Sequence, residues 1–101
     1  KLIITSSETL LDYQRKTIEE VFGCPVRDQY GSAEMAGFFA ECEHGRYHVA
    51  PEYGIVEVVD ADGAPVPIGE MGELCLTGFI NPAMPLIRYL IGDAGRVHAC
   101  L

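Results

Sequence analysis

The chain has 101 residues, with 7 Lys+Arg against 15 Asp+Glu and a formal net charge of −8, a length that suits one domain. A hydrophobic fraction of 49% beside 22% charged residues excludes disorder, and the acidic balance excludes a nucleic-acid-binding module, which needs a Lys/Arg surplus to meet phosphates. Apolar runs of only a few residues exclude a membrane-spanning helix, which takes about 20, and residues 1–20 show no signal-peptide pattern.

Leu2-Ile3-Ile4-Thr5 reads as a short buried strand. Thr5 and Glu8 have capping-box spacing, which predicts a helix start close behind them. From about Leu10 to Phe22, Leu10, Leu11, Ile18, Val21 and Phe22 form one apolar helical stripe, with Asp12, Arg15, Lys16, Glu19 and Glu20 on the wet side. Gly23 and Pro25 stop that helix. Val26–Tyr30 is the next strand, so the first 30 residues predict a βαβ unit with both strands parallel in one sheet.

Beyond Gly37 the pattern becomes strands and turns. Phe38–Ala40, Tyr47–Val49, Ile55–Val59, Glu73–Thr77 and Arg96–Cys100 are predicted as short strands. Asp60-Ala61-Asp62-Gly63 is a hairpin-like turn. The expected fold class is α/β: a βαβ unit of a parallel sheet leading into an antiparallel, β-rich, distorted barrel-like region. Residues 1–36 form the first portion and 37–101 the second. Lys1–Thr5 begins in mid-strand and Ala99-Cys100-Leu101 ends in an apolar run, so a piece of a longer protein is expected. Cys24, Cys42, Cys75 and Cys100 contain no CxxC pair, which suits reduced thiols in the cytoplasm.

Three groups of residues bear on chemistry. Tyr30-Gly31-Ser32-Ala33-Glu34 sits at the carboxyl end of the second strand, where open α/β sheets bind ligands. Tyr30 offers a flat face to a base, Gly31 close backbone approach, and Glu34 a hard oxygen for Mg²⁺. Taken alone, the same residues make an ordinary turn after a strand. Gly92-Asp93 closes the apolar stretch from Met84, and its carboxylate suits a diol such as ribose; alone it is equally a strand ending in a turn. Cys42, His44, His48 and Cys100 are the ligand types of tetrahedral Zn²⁺, and equally a small buried thiol with surface histidines.

Together, Tyr-Gly-x-x-Glu, then Gly69-Glu70-Met71-Gly72-Glu73-Leu74, then Arg88-Tyr89-x-x-Gly92-Asp93 resemble the adenylate-forming acyl-CoA synthetase superfamily. The Glu41-Cys42…Gly45…His48-Val49 stretch and Met84-Pro85-Leu86-Ile87-Arg88-Tyr89 resemble most its phenylacetate–CoA ligase branch and capsule-biosynthesis relatives. The resemblance implies part of a larger adenylation domain that activates an aryl or acyl carboxylic acid with ATP and passes it to the thiol of coenzyme A. It implies that Tyr30 stacks on adenine, with Asp28, Gln29, Gly31, Ser32 and Ala33 around the nucleotide and Ser7 and Glu8 near the adenine edge. Glu34 is implied as the catalytic carboxylate that places Mg²⁺ on the phosphates, and Asp93 as the ribose acceptor. Cys42, His48 and Cys100 are implied as part of a structural zinc cluster.

The sequence departs from the family where Ala33 replaces a hydroxyl residue and Leu90-Ile91 replaces Arg-Thr. The family's phosphate loop, hinge and C-terminal lysine are not among these residues, so the 101 residues alone are expected to be inactive. The competing readings are a non-catalytic β-rich binding module, with or without zinc to stabilise it, and a synthetase that keeps the fold without the activity.

Overall fold

The computed structural model describes residues 1–99. The βαβ unit is present: β1 (Ile3–Ser6), α1 (Asp12–Phe22) and β2 (Val26–Gly31), with β1 and β2 parallel and Thr5 opposite Asp28. β3 (Phe38–Glu41) and β4 (Tyr47–Val49) follow antiparallel, completing a mixed sheet in the order β1-β2-β3-β4. β5 (Gly54–Val59), β6 (Gly72–Gly78) and β7 (Tyr89–Gly95) form a second, wholly antiparallel sheet. Because β3 and β4 fold back onto β2, the division between sheets falls between Val49 and Gly54.

The helix starts later than its sequence signal. Thr5 and Glu8 do not cap it; Leu11 occupies the N-cap position, and its N–H donates to the Gln14 side chain at 3.0 Å. Thr5 instead spends its hydroxyl on Asp28 at 2.6 Å, so a tertiary partner outcompetes the local cap. The C-terminal signal is met, with the Gly23 N–H bonding the Glu19 carbonyl at 2.9 Å. The expected apolar stripe is not buried: α1 has no buried residue, and Val21 and Phe22 are 71% and 65% exposed.

The last strand also differs from expectation. Residues 96–99 form no strand, and Cys100 lies outside the described residues. The strand is β7, so Gly92-Asp93 falls inside it rather than in a turn after it. Cys75 pairs with Leu90 and Glu73 with Ala94, so three residues of β7 face Leu74 alone. This is a bulge, and Gly92 supplies the positive φ of 89° that it needs. The Asp60–Gly63 turn forms as expected, with the Asp60 carboxylate accepting from the N–H groups of Asp62 and Ala64, both at 2.9 Å.

The core joins the two sheets. Ala36, Val58, Leu74 and Leu76 are buried together, and Tyr30 and Phe39 of the first sheet pack against them. Leu76 is fully covered, and burying such a side chain contributes roughly 1.5–3 kcal/mol. Cys75 is buried as a core thiol, whereas Cys24 is only half-buried.

Candidate functional site

Tyr30 leaves β2 on the face that meets the second sheet. Its ring stacks on Phe39, its register partner in β3, with centroids 4.9 Å apart and planes 16° from parallel. Its hydroxyl donates to the Asp93 carboxylate, 63 residues away. The bulge in β7 brings that carboxylate within reach, so a local irregularity produces the contact between the two motifs. Burial first, then the Asp93 hydrogen bond and the charges of Asp93 and Glu34, hold the Tyr30 phenol well above its ordinary range.

A cleft of about 910 Å³ opens beside this pair. Ser7, Glu8, Asp28, Gln29, Tyr30, Gly31 and Asp93 all line it, so residues from the two ends of the chain meet there. Ser32, Ala33 and Glu34 do not line it. They form the turn after β2, closed by the Met35 N–H on the Ser32 carbonyl at 3.0 Å. The Ser32 hydroxyl is buried with no hydrogen-bond partner among the described residues. It therefore does not present to the cleft the hydroxyl that Ala33 lacks. Glu34 is half-buried and close enough for its charge to act on Tyr30.

Asp28 is the buried charged residue of the described core, 6% exposed. Its carboxylate accepts the Thr5 hydroxyl at 2.6 Å and the Tyr47 hydroxyl. Its N–H donates to the Glu41 carboxylate at 2.7 Å, and Arg15 of α1 clamps Glu41 at 2.8 and 3.0 Å. This network ties α1 and all four strands of the first sheet to the residue two places before Tyr30, and it satisfies a charge that would otherwise be costly to bury. Burial and the Asp28 hydrogen bond push the Tyr47 phenol upward. Sequence reasoning missed Tyr47 and Thr5 because no motif marks them; only strand register brings them to Asp28.

Arg88 opens the second motif with positive φ, 49°, uncommon for a residue with a side chain. Its N–H bonds the Thr77 hydroxyl at 3.0 Å, and its guanidinium reaches Glu57 at 3.1 and 3.3 Å and the Gly63 carbonyl at 2.8 Å. Among the described residues, Ser7 and Met35 are the other non-glycine residues with positive φ. All three lie in or beside the motif segments, where backbone strain commonly collects.

Cys42 and His48 lie on the β3–β4 hairpin, with the Cys42 N–H bonded to the Arg46 carbonyl at 2.9 Å. No group of three His, Cys, Asp or Glu suited to a metal occurs among the described residues. Cys100, the third implied ligand, lies outside them. Among the described residues no helix is long and apolar enough to cross a membrane.

No protein-family model matches the chain. Protein CapK of Staphylococcus aureus is 39% identical over 92 residues, which are 91% of this chain and 19% of CapK. The phenylacetate-coenzyme A ligase of Thermus thermophilus is 35% identical over 95 residues, covering 89% of this chain and 21% of the ligase. Among solved structures, an open conformation of 2-hydroxyisobutyryl-CoA ligase in complex with 2-HIB-AMP and CoA matches 93% of this chain and 22% of its own. The TM-score is 0.79 and the sequence identity 27%.

The fold is thus a fragment of the adenylation domain of CoA ligases. Its homologues are CapK, phenylacetate–CoA ligases and acyl-CoA synthetases, and it spans about a fifth of the length of the curated relatives it matches.

Proposed function

We propose that this chain is the nucleotide-contacting segment of an ATP-dependent, AMP-forming carboxylate–CoA ligase that acts on an aryl or acyl acid. The observation that carries the reading is the convergence of Tyr30 and Asp93 on one cleft through a hydroxyl–carboxylate hydrogen bond, in a fold matching a CoA ligase at a TM-score of 0.79. In this reading residues 1–36 bring Tyr-Gly-x-x-Glu and residues 37–101 bring Gly-Asp. The Tyr30 ring takes adenine, and Asp93 exchanges the Tyr30 hydroxyl for the ribose diol.

The reaction has two transfers. A carboxylate oxygen of the acid bonds to the α-phosphorus of ATP as pyrophosphate leaves, and the thiol of CoA then bonds to the acyl carbon as AMP leaves. The first step brings two anions together, so positioning and charge neutralisation carry much of the barrier reduction. Glu34 does not line the cleft, but its charge reaches Tyr30, and it would be the residue to hold a Mg²⁺, an ion commonly bound through one or two carboxylates together with substrate phosphates. Bound there, Mg²⁺ would supply positive charge to neutralise phosphate. Cys42 and His48, both on the β3–β4 hairpin, would be two of the three implied zinc donors and Cys100 the third; zinc there would be structural, pinning that hairpin. The free thiols of Cys24, Cys42 and Cys75 support a reducing compartment, the cytoplasm.

The test uses the full-length protein with ATP, CoA and a panel of aromatic and short aliphatic acids. Acid-dependent release of pyrophosphate and formation of AMP are expected. Formation of ADP, or no acid-dependent release with any acid, overturns the reading. Glu34→Gln is expected to slow adenylation by roughly two orders of magnitude, consistent with losing a metal-placing carboxylate.

A further inference from the structure

The five arginines of the chain divide into two groups. Arg15 is held by Val26 and Glu41, Arg27 by the Val26 carbonyl, and Arg88 by Glu57 and Gly63. Arg46 and Arg96 have no hydrogen-bond acceptor or ion-pair partner among the described residues. These two are the arginines that line the cleft beside Tyr30 and Asp93.

They reach it from distant parts of the chain, on backbone that is fastened. Arg46 ends the β3–β4 turn, where its carbonyl accepts the Cys42 N–H at 2.9 Å. Arg96 follows β7, next to Val97, whose carbonyl accepts the Gly69 N–H at 2.9 Å. His48 and His98 line the same cleft. Of the carboxylates there, Asp28 and Asp93 already accept hydroxyl hydrogen bonds, and Glu8 is exposed. In a chain of net charge −8, two arginines without a side-chain partner among the residues lining one cleft suit an anion, and the planar guanidinium fork matches phosphate oxygens.

We infer that Arg46 and Arg96 form a phosphate subsite of this cleft. It would take a phosphate of an adenine nucleotide that enters this cleft, and to that extent it rests on the function proposed above. The phosphate has two sources: the adenylate whose base and ribose lie against Tyr30 and Asp93, or the adenosine end of CoA reaching the same cleft beside it.

Calorimetric binding to the full-length protein, compared with Arg46→Gln, Arg96→Gln and the double variant, tests the subsite. The ligands are adenosine, AMP, CoA, dephospho-CoA and pyrophosphate. Thermal unfolding of each variant checks that the fold is intact. The double variant is expected to lose roughly tenfold or more in affinity for AMP or for CoA, as for removal of charge-assisted hydrogen bonds, with adenosine binding unchanged. Selective loss of AMP assigns the adenylate phosphate. Loss of CoA with dephospho-CoA and AMP retained assigns the CoA 3′-phosphate. Equal affinities in wild type and double variant for every phosphate ligand overturn the subsite. If the wild type binds neither adenosine nor AMP, the nucleotide reading falls on its own. Pyrophosphate then decides the subsite, which stands if the wild type binds it and the double variant does not, and fails otherwise.

Discussion

Tyr30 uses two parts of one side chain for two purposes. Its ring, stacked on Phe39, belongs to the core between the sheets, while its hydroxyl holds Asp93. Tyr30→Phe keeps the ring and removes the hydrogen bond. It is expected to cost about 1 kcal/mol in a urea unfolding series. The raised phenols of Tyr30 and Tyr47 add a pH signature. An unfolded tyrosine titrates near pH ~10, below the folded groups. The stability they contribute is therefore fully present below that pH and falls as pH rises above it, when the unfolded chain ionises first. Unfolding midpoints between about pH 9 and about pH 11, a unit either side of the unfolded value, should decline in the wild type. They should decline less when Tyr30 and Tyr47 are both changed to Phe; an equal decline would show that the folded phenols titrate normally.

Two glycines set the geometry of the second sheet for different reasons. A Cβ on Gly54 would sit 2.6 Å from the carbonyl oxygens of both Ala36 and Thr77, so close approach of backbone requires glycine there. A Cβ on Gly92 meets nothing within 4 Å, and only its φ of 89° requires glycine. Gly54→Ala is expected to cost roughly 2 kcal/mol or more, since backbone must move. Gly92→Ala should cost about 1 kcal/mol, from strain alone. Because the bulge aims Asp93, Gly92→Ala should also weaken nucleotide binding in the full-length protein out of proportion to its stability loss. Paired denaturation and AMP titrations check both. Equal stability costs would refute the separation into clash and strain.

Across the molecule, packing density is uneven. The junction between the sheets is closed around Leu76, whereas α1 leaves Val21 and Phe22 in solvent. Leu76→Ala is expected to cost about 2–5 kcal/mol. In the isolated 101-residue chain, Val21→Lys with Phe22→Lys should change stability by no more than ~0.5 kcal/mol each, while lowering self-association and binding of an apolar dye. A large loss of stability in the lysine variant would place those side chains in the core after all.

The βαβ unit and most strands were legible because period-2 and period-3.6 patterns, Gly23 and the Asp60–Gly63 turn are local signals. The later helix start was not, since Thr5 finds a tertiary partner 23 residues away. Nor was β7, whose bulge replaces simple alternation. In the same way, Tyr30 and Asp93 were identifiable as candidates from the order of motifs, and seven of the residues implied in nucleotide contact share a cleft. The sequence by itself determined the element types, the acidic character and the resemblance that singled out those residues, because these depend on neighbours in the chain. Only the tertiary structure decided that Asp28 is a buried keystone, that Tyr30 holds Asp93, and that Arg46 and Arg96 face one cleft. Those relations join residues tens of positions apart, and strand register and a single bulge, not composition, determine which side chains meet.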